Sequence, residues 1–365
     1  MRVAKMMFPV LAALVFLGCE DSKKKSEAEQ PKTAAEDKGA PTEAEQAKQE
    51  VKEETPKKLV IYSGRKEKLV GKLIEKYEKE KGVEVEVQYG KSAQLAATII
   101  EEGDKSPADL FFAQDVSTLG FLQSEGKLVQ LPKELTGVVP EKFRSDKDMW
   151  VGTSGRARVL AFSTKAVKAE ELPGDIDALV DERWKGKLGW APENASFQSF
   201  VAALIAERGE EKTLEWLKSI QALEPRAYPS NTPMVTAIGN GEIEVGLTNH
   251  YYLFRLKAEH GQEFAADNHY FKSQKAGALV NSAGLGILKT STNQDAARAF
   301  IEYVLSKESQ TYFANETYEF PLIEGVEAST ELPELGELAV PPTDLSKIGD
   351  LEPTVRLLRE AGALM

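Results

Sequence analysis

The chain reads as an α/β protein in two lobes, with the chain crossing between them. Three observations predict this. From Lys58 onward, short apolar strand-like runs alternate with runs of helical periodicity. The roughly 300 residues that follow exceed what a single core normally serves, so two lobes are expected. Near mid-chain, WVGTSGRARVLAFS is a strand-like run interrupted by Gly155, the pattern of a chain crossing between lobes.

KLVIYSG is a short buried strand closed by a Ser63-Gly64 turn. Leu69, Val70, Leu73, Ile74 and Tyr77 then fall at helical spacing, and Gly82 ends that helix. Val83, Val85 and Val87 alternate as a second strand, Ala93 to Glu102 forms a second helix, and SPADLFFAQD holds a third strand. This order predicts parallel strands joined by crossover helices. Further on, WKGKLGWAP supplies a turn and a strand. Helices are predicted over Ser196 to Arg208, Thr213 to Leu223 and Thr232 to Ile238, followed by the strand GEIEVGLT. Asn293 to Ser306 is amphipathic, with Ala297, Phe300, Ile301 and Val304 on its apolar face. No internal repeat is visible.

The first residues, MRVAKMMFPVLAALVFLGC, place Arg2 and Lys5 before an apolar stretch too short to span a membrane. Residues 1–19 therefore read as a secretion signal. Cys19 is the only cysteine in 365 residues, and its place after Gly18 resembles a bacterial lipobox, with Phe16 where leucine is commoner. The other reading is an ordinary signal with an incidental cysteine. With no second cysteine, no intrachain disulfide forms. Residues 20–57 are rich in Glu, Lys, Ala and Gln, carry Pro31, Pro41 and Pro56, and read as a disordered polar tether. A lipid on Cys19 would hold the folded body at a membrane, in the periplasm, without inserting it.

The formal charge of −12 argues against nucleic acid as a partner. Enzyme chemistry is not expected either. His250, His260 and His269 are the only histidines, they lack zinc spacing, and no G-x-S-x-G elbow appears. GNGEIEVG is a glycine turn before a strand, not a dinucleotide loop.

Tyr251 and Tyr252 stand side by side in GEIEVGLTNHYYLFRL, where the strand run ends and a helical run begins. A phenol titrates near ~10, yet a bound trivalent cation displaces its proton, and phenolate oxygen is a hard donor suited to iron(III). Neighbouring side chains on a strand point to opposite faces, whereas in a first helical turn they stand roughly 100° apart. Only the second arrangement lets both oxygens converge. The rival reading is one buried aromatic beside one rim aromatic with a wet hydroxyl.

IYSGRKE, SPADLFFAQ, GTSGRARVLAF, WKGKLGWAP, NTPMVTAIGNGEIEVGLTNHYY and AGALVNSAGLGILKTS occur in this order. Over nearly all of Leu59 to Met365 the chain resembles the ferric-ion-binding proteins of bacterial iron ABC transporters, within the periplasmic solute-binding proteins. The resemblance implies an α/β, two-lobed periplasmic binding protein fold, each lobe a mixed sheet flanked by helices, with hinge crossovers. Residues 58–156 and 282–332 would form lobe 1, and 157–281 and 333–365 lobe 2, with crossings near Gly155 and Asn281 to Gly284. It implies Fe(III) on Tyr251 and Tyr252, delivery to an inner-membrane ABC permease, and a monomer.

The family pattern is not complete here. Lys66 stands where some members have histidine, Gln114 where they have a carboxylate, and Phe197 where others have a third tyrosine. An ammonium has no lone pair and a phenyl ring no donor; the Gln114 amide oxygen is either a weak ligand or structural. The shortage implies a synergistic anion, carbonate or phosphate. Arg65 and Arg156 offer planar donors for it. Asn194, Ala195 and Ser196 precede a helix whose N-terminus suits an anion, and Asn231 and Asn249 occupy similar turns. The rival readings are helix N-caps for the asparagines and an interlobe salt bridge for Arg156 and Arg158. The alternative ligand is an organic anion such as a phosphonate, or thiamine, on the same fold.

Overall fold

The computed structural model describes residues 58–364 apart from 328, 330, 331 and 349–351, so the secretion signal, Cys19 and the tether lie outside the described residues. Strand β1 (Lys58–Ser63), helix α1 (Glu67–Lys81), β2 (Glu84–Tyr89), α2 (Ser92–Glu102) and β3 (Leu110–Ala113) follow the predicted alternation. Gly82 ends α1 at φ 62°, a left-handed conformation that costs glycine little, and its N–H bonds the Glu78 carbonyl. Both β2 and β3 run parallel to β1. Two helices that sequence patterning did not single out follow, α3 (Val116–Ser124) and the short α4 (Lys133–Thr136).

The long strand β4 (Val151–Ser163) is fully buried and organises the rest. After it come β5 (Leu188–Trp190), α5 (Ala195–Ala222), β6 (Arg226–Ala227), α6 (Asn231–Asn240), β7 (Val245–Asn249) and α7 (Tyr251–His260). Then follow β8 (Ala266–His269), β9 (Val280–Ile287), α8 (Gln294–Val304), α9 (Lys307–Glu316) and α10 (Glu352–Glu360). The two helices expected over 196–223 run as one element broken at Gly209, whose φ of 83° is non-helical.

The strand order is β2-β1-β3-β9-β4-β7-β5-β6, with β8 also on β4. Pairing along β4 divides in two. Val151 to Ala157 pair antiparallel with β9, whereas Arg158 to Phe162 pair antiparallel with β7 and Leu160 to Ser163 with β8. One strand therefore belongs to both halves of the sheet, and it changes partners between Ala157 and Arg158. Gly155, where a crossing is expected, lies shortly before this change of partners, and the strand runs through that glycine without a break. Gly155 exchanges backbone hydrogen bonds with Phe320 (2.8 and 2.9 Å), and a Cβ there would press on the Phe320 side chain. Asn281 to Gly284 lie inside β9, paired to the first half of β4.

Apolar residues cover both faces. On one side of the first half-sheet, Val70, Ile74 and Tyr77 of α1 and Phe300, Ile301 and Val304 of α8 pack on Leu59, Ile61, Leu110 and Leu285. In the second half, Met234, Val235 and Ile238 of α6 and Leu253 and Leu256 of α7 pack on Ala161. Burying a large aliphatic side chain stabilises by about 1.5–3 kcal/mol, so this cluster anchors the helix that carries the tyrosines. Among the described residues no helix is long and apolar enough to cross a membrane.

Candidate functional site

Helix α7 starts directly at the end of β7. His250 already has helical angles (φ −56°, ψ −40°), so Tyr251 and Tyr252 occupy the first turn. Their ring centroids lie 4.4 Å apart with planes inclined by 33°. The Tyr252 phenol lies near enough to the Tyr251 phenol and the Asn231 amide for both to act on its proton. Tyr251 is buried and Tyr252 half-buried, and the close rings lie on the same side of the helix start. Arg255, one turn on, lies 4.5 Å from the centre of the Tyr251 ring and donates to the Thr317 carbonyl at 3.3 Å.

Burial, then the proximity of Tyr251 and the hydrogen bond to it, pushes the Tyr252 phenol well above its ordinary range, and Asn231 and Arg255 offset only part of this. At neutral pH Tyr252 is protonated until a strong positive charge arrives. Among the described residues no three His, Cys, Asp or Glu side chains gather to hold a metal. The phenols are thus the hard donors that the arrangement offers.

Arg158 lies within electrostatic reach of this pair. It is 2 % exposed, its Nη2 donates to the Leu247 carbonyl (3.1 Å), and its Nη1 reaches Ser196 (3.4 Å to the carbonyl, 3.5 Å to Oγ). The guanidinium lies 5.2 and 4.9 Å from the ring centres of Phe197 and Phe200. Burial lowers its pKa to about 9, while the oxygens of Tyr252 and Tyr251 pull the other way. It stays charged at neutral pH, and its Nε has no partner among the described residues. Phe197 is itself fully buried against Trp190 and Phe200.

Ser196 ties the neighbours together. Its Oγ donates to Asn194 Oδ1 at 2.7 Å and lies 3.3 Å from Asn231 Nδ2. Asn194 also accepts from the Ser196 N–H (2.9 Å), as the N-cap of α5, with Ala195 as the first helical residue. Asn231 is the first residue of α6, buried, with Oδ1 unpartnered among the described residues. Asn249 pairs with Arg158 across β7 and β4. Tyr251, Tyr252, Asn194, Ser196, Asn231 and Asn249 therefore gather about Arg158, which sequence reasoning had weighed only as a salt-bridge residue. Its signal was legible: Arg156 and Arg158 alternate on β4, so both face the same way.

The other predicted residues form a second cluster on the same face of β4. Arg65, expected at an external anion, has an internal one. Its Nη2 bonds both carboxylate oxygens of Glu319 (2.8 and 2.9 Å), and its Nη1 donates to Gln114 Oε1 (3.1 Å). Arg156 donates to the Gln114 carbonyl and Ser154 to Glu319. Gln114 thus directs its amide oxygen at Arg65. Burial alone would raise the Glu319 carboxyl, but the charges of Arg65 and Arg156 and the Ser154 hydrogen bond outweigh it and hold the pKa below the usual range. Lys66 is exposed at the start of α1. Nothing in the local sequence marked Glu319, 254 residues from Arg65.

His250 is fully buried, and burial pushes its pKa down to about 4, so the ring is neutral at physiological pH. Its Nδ1 accepts from the Ala157 N–H (3.1 Å), and its Nε2 lies 2.6 Å from the Tyr318 carbonyl, which fixes the proton on Nε2.

Comparison with known proteins bears on this arrangement. The family model described as bacterial extracellular solute-binding protein matches residues 72–340. Iron uptake protein A1 of Synechocystis sp. is 34% identical over 313 residues, 83% of this chain and 86% of that one. The major ferric iron-binding protein of Neisseria meningitidis is 30% identical over 310 residues, 83% and 92% of the two chains. The crystal structure of iron-bound HitA from Pseudomonas aeruginosa superposes with a TM-score of 0.78 at 31% identity, covering 84% of this chain and 100% of that one. The fold is that of the two-lobed periplasmic binding proteins. The chain belongs to the bacterial extracellular solute-binding proteins and, within them, to the ferric-ion-binding family, whose members carry a solute and are not enzymes.

Proposed function

We propose that this protein captures Fe(III) outside the cytoplasmic membrane and hands it to an inner-membrane ABC permease. Tyr251 and Tyr252 supply two phenolate oxygens. A synergistic anion, carbonate or phosphate, supplies the rest and is held by Arg158, Ser196, Asn194 and Asn231. Arg65 and Gln114 act from behind, as part of the buried frame with Glu319. The observation that carries this reading is the pairing of the two tyrosine rings, 4.4 Å apart on the first turn of α7, beside a buried guanidinium that has no carboxylate partner among the described residues.

The steps follow from charge. A ferric ion entering the site displaces the phenol protons, because its field favours the ionised form far more than burial opposes it. Arg158 offsets the negative charge of the phenolates and anion. Closure of lobe 1 (58–156, 282–332) on lobe 2 (157–281, 333–365) buries the cargo, in the hinge mode of periplasmic binding proteins. The chain acts as a monomer, and a lipid on Cys19 keeps it near its permease.

Arg158 also suits an organic anion such as a phosphonate. Calorimetry with ferric citrate against a panel of phosphonates separates the two: the iron reading predicts one ferric ion per chain and no heat from phosphonates alone. Phosphonate binding without iron uptake would reverse the assignment.

A further inference from the structure

We propose that His250 is the positioning residue of the tyrosine pair, fixing the first turn of α7 to the point where β4 changes partners. This rests on the ferric reading of the site and goes beyond it, because His250 is not a ligand. Every polar group of the residue is engaged. Its backbone N–H donates to the Ala157 carbonyl (3.0 Å), and the Ala157 N–H returns a bond to Nδ1 (3.1 Å), closing a two-point clamp on one residue. The Nε2–H donates to the Tyr318 carbonyl (2.6 Å), and the His250 carbonyl accepts from Asn268 Nδ2 (2.9 Å).

The places of these partners give the clamp its meaning. Ala157 is the last β4 residue paired with β9, and Arg158 the first paired with β7. Tyr318 belongs to a segment held on both sides: Phe320 pairs with Gly155 through two backbone bonds, and Thr317 accepts from Arg255. Tyr318 itself sits at φ 54°, a conformation that favours glycine, with its ring stacked on Phe254 at 5.6 Å. The imidazole packs 4.7 Å from Phe320 and stands edge-on to Tyr251 at 5.7 Å. His250 is therefore the one side chain of this clamp that joins the tyrosine helix, the partner-switch of β4 and the 317–320 segment. A rigid ring with an acceptor on one edge and a donor on the other does this; a flexible amide does not hold the same direction.

The test compares wild type with His250→Gln, each loaded with ferric citrate and then challenged with excess chelator. Wild type is expected to show a tyrosinate-to-iron absorption band and slow release. The variant is expected to keep one iron per chain but show a shifted band and release about 10–100-fold faster, the range typical for removing an outer partner of a ligand. Wild-type iron loading with identical band and release in the variant overturns the inference and leaves the ferric reading standing. A wild type that takes up no ferric ion overturns both. Should the variant not fold, ring nitrogen NMR of wild type, free and loaded with Ga(III), decides. A protonated Nε2 with an unprotonated Nδ1 in both states supports the clamp, and a proton on Nδ1 overturns it.

Discussion

Arg65 and Glu319 form a buried two-point ion pair across 254 residues of sequence, with both side chains almost completely withdrawn from solvent. Ser154 on β4 donates to the same carboxylate, and Gln114 accepts from the same guanidinium. The pair ties the turn after β1 to the segment that follows α9. Removing one member leaves the other buried and uncompensated.

Glu319→Gln is accordingly expected to destabilise the protein by roughly 3–5 kcal/mol, measured as a fall in the urea midpoint at neutral pH. The pH dependence follows from the depressed pKa of Glu319. Above the unfolded value, ordinarily 4.5, the stabilisation is complete; it is lost as pH falls through the lower folded value. The variant's stability should therefore change less than wild type's over that acid window. Equal acid sensitivity would contradict the role assigned to the carboxylate.

Iron binding should release protons. Tyr252 is held protonated by burial and by its neighbour, so ferric ion must displace protons to coordinate the pair, about two if both phenols ionise. Calorimetry in buffers of differing ionisation enthalpy measures this directly, and apparent affinity should rise with pH across the neutral range. Binding without proton release would mean that the phenols stay neutral.

Gly120 on α3 lies against the backbone of Ser346, and a Cβ there would overlap the Ser346 carbonyl. Backbone cannot yield as a side-chain tip does, so Gly120→Ala is expected to cost about 1–3 kcal/mol despite alanine's better helix propensity. The readout is the denaturation midpoint, together with faster proteolysis near residues 345–348. An unchanged midpoint and cleavage pattern would show that this contact contributes little.

Much of the fold was legible in the sequence because its elements obey local rules. The valines of β2, the apolar stripe of α1 with Gly82 at its end, and the strand-to-helix junction at the tyrosines were all visible as periodicity or capping. What was missed depends on pairing at long range. Gly155 read as an interruption because glycine is poor in strands, yet Phe320 packs where its side chain would stand. Arg65 was assigned an external anion because Glu319 lies in another part of the chain. His250 read only as a histidine without zinc spacing; its clamp on Ala157 exists only once β7 has paired with β4.

The most direct test of the central claim is a ferric titration followed in the visible range on wild type, Tyr251→Phe and Tyr252→Phe. A tyrosinate-to-iron band should saturate at one equivalent in wild type. Each variant should lose affinity by more than the 10–100-fold typical of an outer partner, with a weakened band. A colourless wild-type complex, or a Tyr252→Phe protein that binds iron as tightly as wild type, would contradict the account.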